Sequence, residues 1–351
     1  MLEKICTVSV VELNTPPILL NLKEIEMRPL TVRTDASAGY TLCSNINSAD
    51  GRRVLGKGHE ISLEDATLLQ EEGLDEVQVV GLEEGEVSEK VAAEQVAQQT
   101  GCGSLVLQPA PGGRANLFAK VTACVLVDEI LLTQANSLGG ITIATAMNLS
   151  YVKEGVRVAT VKTFPFAVTK TQLEAVLLIL KERGPILQAR PIPEPNVAVL
   201  YTDPLYGGRA QQLFGRIMHG RLQRFGTEAR FVDAAVEEKG PVARSLRNLL
   251  RSEPTCVIIA STTSPAGPDD VVGQAMVAVG CEIRHFLVPV EPGNLLLLGY
   301  YQDRIPVVST PGCFRSLHSS VLDLVLPPML AGYRMTSPDF AALGHGGLLK
   351  P

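Results

Sequence analysis

Beyond Pro195 short apolar runs alternate with amphipathic stretches of helical period. The order is VAVLY, a Gly-Gly turn and a helix from about Arg209 to Phe225, ARFVDA, the helix VARSLRNLL, CVIIAS, and the helix DVVGQAMVAVG. Strands apolar on both faces must be covered on both, and a helix between successive strands makes them parallel, so this alternation predicts a doubly wound α/β sheet. A hairpin, NLLLLGYYQDRIPVVS, with its turn at Gln302-Asp303, and a helix from about Phe314 to Leu330 complete the expected domain.

The preceding sequence is less regular. VSVVEL, ILLNL and RPLTVRT suggest short strands, with a turn at Asp50-Gly51. From Gly51 a strand, helix and strand follow, the helix capped by Ser62 with Asp65 at its third position and ended at Gly73. Ser88–Gln99 and Thr169–Glu182 read as further helices, and SLVLQPAPGGRANLFAKVTACVLVDEILLTQ as two or three strands around Pro111-Gly112-Gly113. Gly184 and the prolines between Pro185 and Pro195 mark the clearest boundary. The expected division is a β-rich segment over 1–50, a mixed α+β region over 51–190, the α/β domain over 196–335 and a flexible, frayed tail over 336–351.

Composition narrows the function. With 351 residues, 46% hydrophobic and 19% charged, the chain has enough apolar matter for two or three cores. A net charge of −6, 5% aromatic residues and no Trp argue against a nucleic-acid partner. Seven cysteines without CxxC spacing favour neither a disulfide framework nor a zinc site, and point to a reducing, cytoplasmic compartment. No apolar run is long enough to span a bilayer, so no membrane role is expected.

In an open α/β sheet, ligands bind beyond the carboxyl ends of the strands. The loops expected there are Tyr201–Arg209, Ser261–Asp270 and Ser309–Ser316, with Glu291–Asn294 nearby. Ser261, Thr262, Thr263, Ser264, Thr310 and Ser316 supply hydroxyls, while Gly207, Gly208, Gly267, Gly293 and Gly312 allow close backbone approach, a chemistry that suits an oxyanion or phosphate. Asp203, Asp269 and Asp270 admit two readings. They bridge a divalent cation to an anion, or Asp269 and Asp270 serve the N-terminus of the next helix. Cys313, just before a helix, is either a thiol of lowered pKa or a small residue buried at a tight turn. The five histidines show no metal-binding grouping, and GxSxG, GxxxxGK[ST] and intact GxGxxG are absent.

VAVLYTD, IIASTTSPAGPDDVV, PVEPGNLLLLG and VVSTPGC, in that order, resemble the molybdopterin-binding domain of the MoeA/MogA-like molybdenum-insertion proteins. GRRVLGKGHEIS, GGRANLFAK, ITIATA and VRVATVKTFPFAV bring the likeness closer to the molybdopterin-binding half of bifunctional molybdenum cofactor cytidylyltransferases. The resemblance implies a C-terminal α/β molybdopterin-binding domain, binding of molybdopterin or its nucleotide adduct in molybdenum cofactor biosynthesis, and insertion of molybdate. The alternative is a non-catalytic carrier that delivers the cofactor to a client molybdoenzyme. It also implies a homodimer and Mg2+. Carried over residue by residue, the ligand set is Thr202, Ser261, Thr262, Thr263, Ser264, Gly267, Pro292, Gly293, Asn294, Pro311, Gly312, Cys313 and Ser316. Asp270 and Asp203 take the catalytic and metal-holding roles. Where insertion enzymes carry TGDE, this chain has Thr202-Asp203-Pro204-Leu205. Pro268 replaces an acid and Asn294 a lysine, and no cytidylyltransferase half is present in this sequence.

Overall fold

The computed structural model describes residues 29–163, 166–310 and 317–349. Nearest the N-terminus, strand Glu76–Val80 lies between Leu30–Arg33 and Thr41–Leu42, antiparallel to both. Helix Leu63–Glu71 starts as the sequence predicts: Ser62 accepts from the Asp65 amide at 3.0 Å and Asp65 accepts from the Ser62 amide at 2.9 Å. Leu42, Ile61, Leu69 and Val79 form one buried core. Residues 30–50 therefore share a core with residues 51–80, because their short strands flank Glu76–Val80 on both sides. VSVVEL and ILLNL lie outside the described residues.

Among the described residues from Glu86 to Pro191, the middle region contains two four-stranded sheets, the two-stranded pair of Glu86–Ser88 with Ala167–Thr169, and three helices. In the stretch expected to be only strands, Glu129–Ser137 is a helix, since the Asp128 side chain accepts from the Leu131 amide at 2.9 Å and supplies its N-cap. Helix Lys170–Arg183 carries a capping box between Thr169 and Gln172. The proline-rich boundary is narrower than expected, because Leu187–Pro191 is a strand running parallel to Gly101–Gly103. That pairing ends at Ala189, so Pro191 withholds no amide that it requires.

The C-terminal domain has the predicted doubly wound core. Its elements, labelled within this domain, are β1 (Val197–Asp203), α1 (Gly208–Arg224), β2 (Ala229–Val236), α2 (Lys239–Leu250), β3 (Cys256–Ser261), α3 (Val271–Ala278), β4 (Cys281–Phe286), β5 (Leu297–Tyr301), β6 (Ile305–Thr310), α4 (Val321–Leu330) and α5 (Ser337–Ala342). The sheet order is β2-β1-β3-β6-β5-β4. β2, β1, β3 and β6 are mutually parallel, while the β5–β6 hairpin turns at Gln302 and Asp303, both at positive φ. On one face Val197, Val199 and Tyr201 pack beneath α1, α4 and α5. On the other, Ala198 and Leu200 pack beneath α2 and α3. Burial of alternate residues on opposite faces is why β1 reads as an unbroken apolar run.

The start of α4 is tied to α1 by Arg221, which is fully buried, pairs with Asp323 and donates to Ser320 Oγ at 3.0 Å. Residues 336–349, expected to fray, are instead packed. The Phe340 ring is 1% exposed and stacks on His285 with centroids 4.1 Å apart. Beyond α5, the Glu291 amide donates to Gly347 O and the Leu349 amide to Glu291 O, each at 2.8 Å. Burial of an aromatic ring and two backbone hydrogen bonds offset the entropy of ordering this short segment.

Candidate functional site

The parallel strands place Thr202, Val236 and Ser261 at neighbouring carboxyl ends, with Thr202 and Ser261 in register across β1 and β3. Immediately after β2 comes Glu237, whose amide donates to Asp203 O at 3.0 Å. This fixes the Glu237 side chain over the sheet edge. One of its carboxylate oxygens accepts the Thr202 hydroxyl at 3.0 Å and the Ser261 hydroxyl, and the other accepts the Thr263 hydroxyl. Ser261 and Thr263 also contact one another through their hydroxyls at 2.8 Å. Thr202 and Ser261 are buried, whereas Glu237 and Thr263 are half-exposed. The centre is a half-buried carboxylate ringed by three hydroxyls at the carboxyl edge of the sheet.

The sequence pattern points to Thr202, Ser261 and Thr263 but not to Glu237. The only signal was its position: the first residue past a parallel strand, in the run Val236-Glu237-Glu238.

Asp203 belongs to a second, separate set of bonds. One oxygen accepts the amides of Leu205 (2.8 Å) and Tyr206 (3.3 Å), and the other accepts the Thr262 hydroxyl (2.6 Å) and Arg209 Nη1 (2.8 Å). Burial pushes this carboxyl up, but the Thr262 hydroxyl, the two amides and the Arg209 charge outweigh it and hold the pKa below the usual carboxylate value. Asp203 thus fastens the loop between β1 and α1 and has no free acceptor site.

Asp270 is the N-cap of α3: its carboxylate accepts the Gly273 and Ala266 amides, each at 2.7 Å. The helix-terminus reading of this residue accounts for the geometry. Among the described residues no group of three or more His, Cys, Asp or Glu side chains is placed to hold a metal ion. The donor set at Asp203 and Asp270 therefore does not fit the expected Mg2+, and no step is assigned to it.

Gly293, expected to let backbone meet a ligand, has φ 121°, and a Cβ there would come within 2.4 Å of Val321 Cγ1. The turn Pro292–Asn294 packs on the start of α4, where Pro292 O accepts the Val321 amide at 3.1 Å. Ser264 is exposed and Gly267 buried beside the α3 cap. Ser309 Oγ and Thr310 Oγ1, at the carboxyl end of β6, are buried without a hydrogen-bond partner among the described residues. Pro311, Gly312, Cys313 and Ser316 lie outside the described residues. No described helix is long and apolar enough to cross a membrane.

No family model and no curated protein matches the sequence. Among solved structures, the chain is similar to a molybdopterin biosynthesis moea protein from Pyrococcus horikosii, at 12% identity and a TM-score of 0.32, over 87% of this chain and 75% of that one. It is also similar to a molybdenum cofactor biosynthesis protein from Pyrococcus furiosus, at 12% identity and a TM-score of 0.26, over 88% of this chain and 66% of that one. Superposition at these scores is too partial to transfer a site from either protein to this chain.

Proposed function

We propose that the carboxyl edge of the C-terminal sheet binds a pterin, namely molybdopterin or its nucleotide adduct, and that the chain acts in molybdenum cofactor biosynthesis as a binding or delivery protein. The observation that carries this reading is Glu237. A pterin presents adjacent N–H donors on its 2-amino and N3 edge, and a carboxylate whose two oxygens are held by rotatable hydroxyls accepts such a pair side by side once those hydroxyls turn away. On ligand entry the hydroxyls of Thr202, Ser261 and Thr263 rotate from donors to Glu237 into partners for the ligand's remaining polar atoms. The Ser309 and Thr310 hydroxyls on β6, without a partner among the described residues, add hydrogen-bonding capacity at the same edge.

Delivery is favoured over molybdate insertion because Asp203 is engaged by backbone amides and Arg209 and Asp270 by two backbone amides, so these two acids serve the loop and the helix N-terminus. A homodimer and hand-over to a client molybdoenzyme belong to the same reading, on the strength of the sequence resemblance. Titration of the full chain with molybdopterin and adenylylated molybdopterin, followed by molybdate and magnesium, tests it. The expected result is saturable binding without metal transfer. Metal transfer would restore the insertion reading, and absence of binding would remove both.

A further inference from the structure

A cavity of about 430 Å³ lies far along the chain from the sheet edge, between the N-terminal unit and the middle region. Arg53, Lys57, Glu89, Arg114, Lys162 and Thr163 contribute to its lining. Four basic side chains face one acid there, in a chain whose net charge is −6.

The four cations are exposed, and three features bear on what they can hold. First, Arg114 and Lys162 are directly opposed partners on antiparallel strands. Like charges at such positions repel and destabilise the sheet. Second, none of the four cations makes an ion pair among the described residues: Arg114 Nε donates to Pro111 O at 3.0 Å, and Lys57 Nζ sits 5.1 Å from the Phe166 ring centroid. These contacts aim the two side chains without neutralising them. Third, the wall behind the cations is tightly packed. Gly113 has φ 60°, and a Cβ there would fall within 2.7 Å of Glu89 Cβ and 2.8 Å of Thr163 Oγ1. Glu89 is itself 7% exposed and accepts the Phe166 amide at 2.7 Å, which holds its carboxylate as a fixed part of the wall.

We propose that this cavity is a second binding site, for the di- or triphosphate group of a small molecule. Two guanidinium groups grip phosphate oxygens in forks, two ammonium groups add point charge, and the volume is that of a small-ligand pocket. The phosphate neutralises the opposed pair Arg114 and Lys162. Arg53 and Lys57 come from the N-terminal unit, so the bound ligand bridges the two units. This site is independent of the pterin reading.

The test is calorimetric titration of the full chain with pyrophosphate, and with a nucleoside triphosphate as a separate arm. Arg114→Gln and Lys162→Gln are each expected to weaken pyrophosphate binding by about tenfold. Each should leave the thermal midpoint of the unliganded protein unchanged or raised, because repulsion is relieved. Glu237→Gln should leave pyrophosphate binding as in the parent, which separates this site from the sheet edge. Tighter binding of the triphosphate assigns a nucleotide, and equal binding assigns the phosphate group alone; either supports the proposal. It is overturned if the parent chain does not bind pyrophosphate, if the variants bind as well as the parent, or if a single-stranded RNA oligomer displaces pyrophosphate and binds more tightly through the same residues.

Discussion

Thr202 and Ser261 stand in register on adjacent parallel strands, and their hydroxyls converge on one carboxylate oxygen of Glu237. A few ångströms of chain away, Asp203 is saturated by two amides, a hydroxyl and a guanidinium. Neighbouring acids at one sheet edge thus hold different roles. Glu237 is held only by rotatable hydroxyls, and Asp203 braces the loop between β1 and α1.

Asp203→Asn is expected to lower stability by about 2 kcal/mol, because it removes the negative partner of Arg209 and leaves an amide where donors converge. Urea unfolding checks the value. A pterin affinity falling as far as in a Glu237 variant would assign Asp203 to the ligand instead.

Asp270→Ala removes the N-cap of α3 and should cost about 1 kcal/mol. Ligand binding, with or without added magnesium, should be unchanged. A magnesium-dependent difference between parent and variant, measured by the same titration, would return Asp270 to a metal-holding role.

Asp65 makes the N-terminal unit sensitive to acid. Burial raises its carboxyl, but His59, whose Nε2 lies 2.8 Å away, and the Ser62 amide and hydroxyl overcome this and bring the pKa down to about 2. The folded value lies below the unfolded one of about 3.9, so the contribution, about 2 kcal/mol, is complete above the unfolded value and lost as pH falls through about 2. Urea unfolding at pH 5 and near pH 2 should show this loss in the parent and a smaller one in Asp65→Ala.

The α/β core was legible because its strands are buried on both faces and its helices carry one apolar stripe; both patterns survive in the text as periodicity. The Ser62 and Thr169 caps were equally local. What could not be read depends on contacts distant in sequence. The tail looked frayed because GHGGLLKP has no periodicity. Yet Phe340 finds His285, and a Cβ on Gly347 would come within 2.3 Å of Pro289 O. Glu237 was hidden for a similar reason: nothing in Val236-Glu237-Glu238 says that β2 lies at the edge beside β1, and only the strand order brings it to Thr202, Ser261 and Thr263.

Phe340→Ala measures how firmly that tail is docked. Removing a ring that is 1% exposed should cost about 3 kcal/mol. Proteolysis should then cut after Met335, a site that the parent chain protects.

The most direct test of the sheet-edge assignment is a fluorescence titration of molybdopterin into the parent chain and into Glu237→Gln. The amide replaces one acceptor oxygen with a donor that opposes the pterin's own N–H groups, so affinity should fall at least about tenfold while the thermal midpoint of the free protein changes little. Equal affinity in the two proteins would contradict the account.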